Sequence, residues 1–152
     1  MTHATWMASV VFDGARSIKR IAPDLDLHCA RVVLSAEIMG LIPPITADEI
    51  EWLTWAGIDR FDDAAKLYIR PLMYSEEGFV VAVPESTRFI LSVFEAPLTT
   101  GKGPRVCLSR FRRPSPDMAA ADAKTACLYF NVVRALREAR GKSYDSVVML
   151  DA

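Results

Sequence analysis

The pattern of apolar and polar positions predicts a strand region at the start of the chain. Residues 9–12 form a short apolar run, which Asp13 and Gly14 interrupt. A second apolar stretch covers residues 15–21. Since Asp-Gly is a common turn between two strands, the spacing predicts that these two stretches pair with each other as a hairpin.

Two amphipathic helices follow, because the next apolar residues recur every three or four positions. Asp24 or Asp26 is a candidate cap for the first helix, which runs to Met39 and ends at Gly40. Its expected core face is Leu27, Ala30, Val33 or Leu34, and Ile38. The segment Thr46-Ala-Asp-Glu49 is a capping box for the second helix. The expected core face of that helix is Ile50, Leu53, Trp52 or Trp55, and Ile58.

From Lys66 onward the sequence changes to runs of β-branched and aromatic residues, which favour strands. Three such runs, residues 67–73, 79–83 and 89–94, are separated by short polar segments. They predict three consecutive antiparallel strands. With the two helices, they indicate an α+β fold in which an antiparallel sheet packs against two helices.

A change of composition divides the chain into two units. Residues 1–97 form the predicted small α+β domain, and residues 98–104, rich in Gly, Thr and Pro, form a linker. Residues 105–152 are predicted to contain a strand, a helix from about Ala126 to Arg140, and a final strand. A domain seldom ends directly after a strand, so we expect this second domain to be truncated.

Composition and charge narrow the classes of function. The 152 residues are 51% hydrophobic with a formal net charge of −1, which disfavours binding to nucleic acid or to an anionic membrane. No segment approaches the ~18 apolar residues that a membrane span needs, so we expect a cytoplasmic protein. With only two histidines and no metal-like cysteine spacing, no metal site is predicted. The three cysteines are interpreted as reduced packing residues.

A few charged residues are candidates for chemistry. Lys124 stands among small residues at the start of a helix, where a large planar ligand can approach and a neutral amine can condense with an aldehyde. A solvated lysine at a helix start is the alternative. Arg70, beside Tyr68 on one face of a strand, can bind a carboxylate or simply form a salt bridge. Arg31, one turn after His28, is equally open to either interpretation.

Several short motifs, taken together, carry a resemblance to a known family. They are Phe12-Asp-Gly-Ala-Arg16, Tyr68-Ile-Arg-Pro-Leu72, Arg112-Arg-Pro-Ser-Pro-Asp117, Ala123-Lys-Thr-Ala-Cys-Leu-Tyr129, and the stretch from Tyr144 to Asp151. Their order and spacing, along nearly all of the chain, resemble the branched-chain aminotransferases of fold-type IV. The resemblance implies that the chain is the small domain of this fold, without its first strands, followed by the beginning of the larger cofactor-bearing domain.

The resemblance also implies roles for individual residues. Lys124 matches the lysine that holds pyridoxal 5'-phosphate as a Schiff base and moves the substrate proton. Tyr129 matches the tyrosine that binds the phenolic oxygen of the cofactor, and Arg31 matches the arginine that binds its phosphate. Four further residues match positions around the substrate, namely Phe12, Arg16, Tyr68 and Arg70.

The implied reaction is transamination between a branched-chain or similar apolar amino acid and 2-oxoglutarate, by a homodimer. The sequence departs from many relatives at Met7, Thr125, Cys127 and Leu128, so the substrate range is open. The relatives also continue beyond the position of Ala152, and that part supplies the acidic partner of the pyridine nitrogen. Two alternatives remain. One is a D-amino acid aminotransferase or an aminodeoxychorismate lyase-like enzyme of the same fold, and the other is a non-catalytic binding or oligomerisation domain.

Overall fold

The computed structural model describes residues 1–98, 101 and 103–151. Thr99, Thr100 and Lys102 of the predicted linker lie outside the described residues. The helices are α1 (His3–Met7), α2 (Leu25–Ile38), α3 (Ala47–Ile58) and α4 (Tyr129–Gly141). The strands are β1 (Val10–Phe12), β2 (Ala15–Ile18), β3 (Lys66–Ser75), β4 (Thr87–Glu95), β5 (Val106–Leu108) and β6 (Ser146–Val148). Short 3-10 turns cover Pro84–Ser86 and Ala126–Leu128.

The main sheet is built around β3, and the predicted hairpin of the first two strands is wrong. Both β1 and β2 pair antiparallel with β3, and their register continues unbroken from one to the other. They lie on the same edge of β3, because β4 pairs with β3 along nearly its whole length on the other edge. The N–H of Asp13 donates to the carbonyl of Pro71 at 3.0 Å, so this residue between β1 and β2 is also hydrogen-bonded to β3. Asp13 and Gly14 therefore interrupt the strand, but the chain does not reverse its direction there.

One face of this sheet packs against α2 and α3. Alternate residues of the strands point to this face, as the two-residue period of a strand requires. The buried apolar residues of the sheet are Val11, Ala15, Leu67, Ile69 and Met73. Those of the two helices are Leu25, Cys29, Val32, Ala36, Ile50 and Ile58. The intervening strand residues, which include every predicted substrate residue, lie on the opposite face of the sheet.

The first long helix is confirmed, but its predicted core face is wrong. Leu27 and Leu34 are 62% and 53% exposed, whereas Val32 and Ala36 are fully buried. Apolar residues occur on both sides of α2, so periodicity alone did not distinguish them. Small side chains such as Ala36 let the helix lie close to the sheet, and this contact selects the face that is buried.

The second long helix begins as its sequence predicts. The side chain of Thr46 accepts from the N–H of Glu49 at 3.3 Å, and Glu49 in turn accepts from the N–H of Thr46 at 2.9 Å. Both partners of the capping box are thus present. Ile50 and Ile58 are buried as predicted, while Trp52 is 69% exposed.

The middle strand predicted for residues 79–83 is wrong. β4 pairs directly with β3, and residues 79–83 belong to the connection between these two strands. Phe79, Val80 and Val81 are between 62% and 79% exposed. Ser75 and Ser86 join their hydroxyl groups at 2.8 Å at the base of this connection, which leaves the apolar run outside the ladder. The Phe79 ring instead contacts Trp6 of α1, with 5.5 Å between ring centroids.

The second unit contains the predicted strand, helix and strand. β5 and β6 pair in parallel, and α4 connects them along the chain and packs on β6. The helix starts three residues later than predicted, because residues Ala126–Leu128 form a 3-10 turn. The division of the chain into domains at residues 97 and 105 stays a prediction. Among the helices of the described residues, none is both long and apolar enough to cross a membrane.

Candidate active site

Lys124 is fixed at the edge of the main sheet by its own backbone and by the side chain of its neighbour, Thr125. The carbonyl of Lys124 accepts from the N–H of Phe12 at 3.1 Å, and the N–H of Lys124 donates to the Ser35 hydroxyl at 3.0 Å. The hydroxyl of Thr125, which is fully buried, donates to the carbonyl of Val10 at 2.9 Å. The segment from the second unit is thereby tied to both β1 and α2.

The amine of Lys124 is held between two aromatic rings. Its Nζ atom donates to the hydroxyl of Tyr129 at 2.9 Å. The same atom lies 5.0 Å from the centroid of the Phe12 ring and 5.5 Å from that of Tyr129. The two rings contact each other, with 5.3 Å between centroids. A single amine is thus directed by one hydroxyl and by cation–π contacts.

Arg31 of α2 lies in the same cavity as Lys124. The cavity has a volume of about 430 Å³, and its ionisable lining residues are Arg31, Arg113, Asp122, Lys124 and Tyr129. Three of these side chains are basic and one is acidic, so the cavity suits an anionic ligand. The structure therefore brings together Lys124, Tyr129 and Arg31, the three residues that the sequence predicted for the cofactor.

Arg31 is bound to the buried carboxylate of Asp13, a residue that the sequence pattern predicts to lie in a turn. Asp13 is fully buried and accepts two hydrogen bonds from the guanidinium of Arg31, at 2.6 and 2.7 Å. Burial raises the pKa of Asp13, but the hydrogen bonds from Arg31, the Gly14 N–H and His28 outweigh it and hold the pKa below its usual 3.8. The same pair raises the pKa of Arg31.

A second cluster of predicted residues occupies the open face of the sheet. The guanidinium carbon of Arg70 lies 5.3 Å from the Tyr68 ring centroid, and that of Arg16 lies 5.5 Å from it. Phe94 of β4 adds a second ring, 5.6 Å from Tyr68. Arg16 also donates to the carbonyl of Ala96 at 2.7 Å, which fixes its head group. The structure therefore places Arg16, Tyr68 and Arg70 together, while Phe12 belongs to the Lys124 cluster.

Comparison with known proteins assigns the family. The chain matches the family model of amino-transferase class IV over residues 10–152. The chain belongs to the class IV aminotransferases. The family and the α+β fold class predicted from the sequence are both confirmed.

Solved structures and curated relatives of this class IV aminotransferase chain agree with that assignment. An aminotransferase from Brucella abortus bound to PLP superposes with a TM-score of 0.94 at 40% identity, covering 99% of this chain and 55% of that one. A branched-chain aminotransferase from Thermoproteus uzoniensis with norvaline has a TM-score of 0.84 at 26% identity, covering 99% and 53%. A probable branched-chain-amino-acid aminotransferase of Rickettsia typhi is 30% identical, covering 99% of this chain and 53% of the relative. The chain spans about half the length of the relatives it matches.

Sequence reasoning missed three residues around Lys124 and Arg31 in this candidate site: Asp13, His28 and Arg113. The pattern gave a signal for the first two, because an acidic residue inside an apolar run and a His-x-x-Arg spacing on a helix both stand out. Arg113 lies in the Arg112-Arg-Pro segment that carried part of the resemblance. No local pattern distinguishes it from its neighbours.

Proposed function

We propose that this chain carries the lysine-bearing part of the active site of a pyridoxal-phosphate-dependent aminotransferase. The proposed reaction transfers an amino group between a branched-chain or similar apolar amino acid and 2-oxoglutarate. The observation that carries the proposal is the Nζ atom of Lys124, 2.9 Å from the Tyr129 hydroxyl in a cavity that Arg31 also lines.

The donor set of the cavity fits pyridoxal 5'-phosphate. An amine, a phenol hydroxyl and a guanidinium line one cavity, and the cofactor has an aldehyde, a phenolic oxygen and a phosphate to match them. Lys124 would hold the cofactor, Tyr129 would bind its phenolic oxygen, and Arg31 would bind its phosphate. When bound, the cofactor supplies the electron sink that lets an amino acid lose the proton on its Cα atom.

The residues of this chain would then orient groups and move a proton. Nζ of Lys124 would take the proton from the Cα atom of the amino acid, since the hydroxyl of Tyr129 and the Phe12 ring hold it at one position. A base contributes most when its geometry is fixed in advance. Phe12 would also exclude water from one side of the amine.

The open face of the sheet is the proposed substrate side of the site. Arg16 and Arg70 flank the Tyr68 ring, so they would bind a carboxylate while the aromatic surface receives an apolar side chain. The names of the relatives support a branched-chain substrate, and the Thermoproteus uzoniensis structure contains norvaline, an amino acid with an apolar side chain. A homodimer is proposed from the family alone, and sedimentation equilibrium of the purified chain tests it.

Reductive trapping tests the proposal. The chain is mixed with pyridoxal 5'-phosphate and reduced with borohydride, and the modified lysine is located by peptide mass. We expect modification mainly at Lys124, lost in Lys124→Ala and retained in Lys142→Ala, which changes an exposed lysine on a surface salt bridge. Transamination of leucine with 2-oxoglutarate is then measured. Labelling spread over exposed lysines would contradict cofactor binding, and selective labelling without turnover would favour a non-catalytic binding domain.

A further inference from the structure

Asp13 is a fully buried carboxylate at the point where β1 and β2 are interrupted. A buried charge is costly unless it is paired and hydrogen-bonded. The residues that bind the Asp13 carboxylate must therefore offset the cost of burying its charge. None of the roles proposed above for Lys124, Tyr129 and the substrate residues uses Asp13.

Two contacts join Asp13 to one edge of the Arg31 guanidinium. Nε of Arg31 donates to Oδ2 at 2.6 Å, and Nη2 donates to Oδ1 at 2.7 Å. Such a bidentate pair fixes the plane of the guanidinium as well as its position. An arginine bound in this way has one orientation, because rotation about its last bonds would break one of the two contacts.

Asp13 is itself held from two other directions. The N–H of Gly14 donates to Oδ1 at 2.6 Å, and Nδ1 of His28 lies 2.8 Å from the same oxygen. His28 is on α2 one turn before Arg31, and its side chain is 26% exposed. The carboxylate cannot follow a movement of Arg31 without losing these contacts, so it is a rigid support.

The ion pair between Asp13 and Arg31 does not use Nη1 of Arg31, so this atom can bind a ligand. Among the described residues, none accepts a hydrogen bond from Nη1, while the other two nitrogens contact Asp13. The Arg31 side chain is 51% exposed and lines the cavity that contains Lys124. The edge of the guanidinium that Asp13 does not occupy is the edge available to an anion.

We propose that Asp13 is a positioning residue that fixes Arg31 so that its Nη1 edge receives the phosphate of the cofactor. This inference rests on the proposed function, because it takes the ligand of the cavity to be pyridoxal 5'-phosphate. The negative charge of Asp13 and its positioning of Arg31 have opposite effects on phosphate binding. Asp13 carries a negative charge close to an anion site, so removing that charge would strengthen phosphate binding if attraction alone mattered. If Asp13 instead acts by positioning Arg31, then removing its charge weakens phosphate binding.

The test compares ligands with and without the phosphate. Trapping at Lys124 is measured against the concentration of pyridoxal 5'-phosphate and of pyridoxal in the wild-type chain and in Asp13→Asn. We expect Asp13→Asn to weaken the apparent affinity for pyridoxal 5'-phosphate by roughly 10- to 100-fold, the range that loss of a partner supporting a ligand residue causes at metal sites. Trapping by pyridoxal should stay within about twofold, since it has no phosphate for Arg31 to bind. Asp63→Asn, which changes an exposed partner of Arg20, is the matched control.

A double-mutant cycle separates positioning from a structural role. In an Arg31→Ala background, Asp13→Asn should change the affinity for pyridoxal 5'-phosphate little further, because the residue through which Asp13 acts is gone. An equal loss with and without Arg31, an equal loss for pyridoxal, or tighter binding by Asp13→Asn would each overturn the inference. If Asp13→Asn fails to fold, His28→Ala replaces it, because this variant removes one support of the carboxylate at a partly exposed position. It should weaken phosphate-dependent trapping in the same sense, and an unchanged affinity would count against positioning.

A spectroscopic measurement needs no cofactor. The Nε–H signal of Arg31 in a nitrogen–proton correlation spectrum should exchange slowly with water in the wild-type chain and rapidly in Asp13→Asn. Protection of Arg31 without any trapping at Lys124 would mean that the proposed function fails while the support exists. Normal trapping in both proteins would mean that only the positioning role fails.

Discussion

The hydroxyl of Tyr68 occupies the space that a side chain on Gly14 would need. A Cβ atom built on Gly14 would overlap this hydroxyl and would lie 2.9 Å from the ring carbon that carries it. Gly14 directly follows Asp13, the support of Arg31, and Tyr68 is stacked between Arg16 and Arg70. The absence of a side chain at position 14 thus makes room for the Tyr68 hydroxyl on the proposed substrate face.

We predict that Gly14→Ala displaces the Tyr68 ring. Overpacking of this kind typically costs about 1–3 kcal/mol, and a shift of the ring can relieve part of it because the overlapping atoms are at the far end of the side chain. Urea unfolding measures the change in free energy, and the near-ultraviolet circular dichroism of tyrosine reports the ring. Gly141→Ala is the control, since nothing lies within 4 Å of the added methyl group. Equal stability and identical spectra for Gly14→Ala and the wild type would contradict the prediction.

Local signals in the sequence predicted the elements whose partners are close in the chain. The capping box of Thr46 and Glu49 is formed three residues apart, so the start of α3 could be placed from sequence alone. The capping box depends little on the rest of the fold. Lys124 and Tyr129 are also close in the chain and meet through their side chains, but their pairing was implied by the family resemblance and not by a local pattern.

The sequence predictions failed where distant residues decide the structure. Asp13 and Gly14 have the composition of a hairpin turn, but the carboxylate of Asp13 binds Arg31, eighteen residues further along the chain. The strand therefore continues along β3 instead of turning back. Residues 79–83 have strand composition, yet the pairing of β3 with β4 leaves no edge of β3 for them. Tertiary pairing overrode local propensity in both cases.

Burial makes the three cysteines chemically unequal. Cys29 is 1% exposed, and burial, followed by the nearby charges of Glu51, Asp13 and Asp26, raises its pKa to about 12. Its thiol therefore stays protonated at every pH below that value, and a protonated thiol is a poor nucleophile. Cys107 and Cys127 are only partly buried.

We predict that a disulfide reagent at pH 8 labels Cys107 and Cys127 in the folded chain and leaves Cys29 unmodified. Peptide mass after brief labelling identifies the modified residues. In urea all three should react at similar rates, because unfolding removes the burial that raises the pKa of Cys29. Labelling of Cys29 as fast as Cys107 in the native chain would show that the core around α2 opens readily.

The hydroxyl of Tyr129 is predicted to contribute to holding Lys124 in the cavity. Tyr129→Phe keeps the ring that contacts Phe12 at 5.3 Å but removes the acceptor that lies 2.9 Å from Nζ of Lys124. The same hydroxyl would bind the phenolic oxygen of the cofactor, and a hydrogen bond to a charged oxygen is worth about 1.5–3 kcal/mol, which corresponds to a factor of about ten or more in an equilibrium constant.

We therefore expect Tyr129→Phe to reduce borohydride trapping of pyridoxal 5'-phosphate at Lys124 by about tenfold at subsaturating cofactor. Tyr144→Phe is the matched control, because Tyr144 is 37% exposed, close to the 36% of Tyr129, and does not line the cavity. Unfolding by urea should be nearly the same for both variants, since each keeps its ring. Equal trapping by the two variants would contradict the prediction, and it would mean that the ring of Tyr129 orients the amine and its hydroxyl does not. The cation–π contact between Lys124 and Phe12 would then be tested by Phe12→Leu.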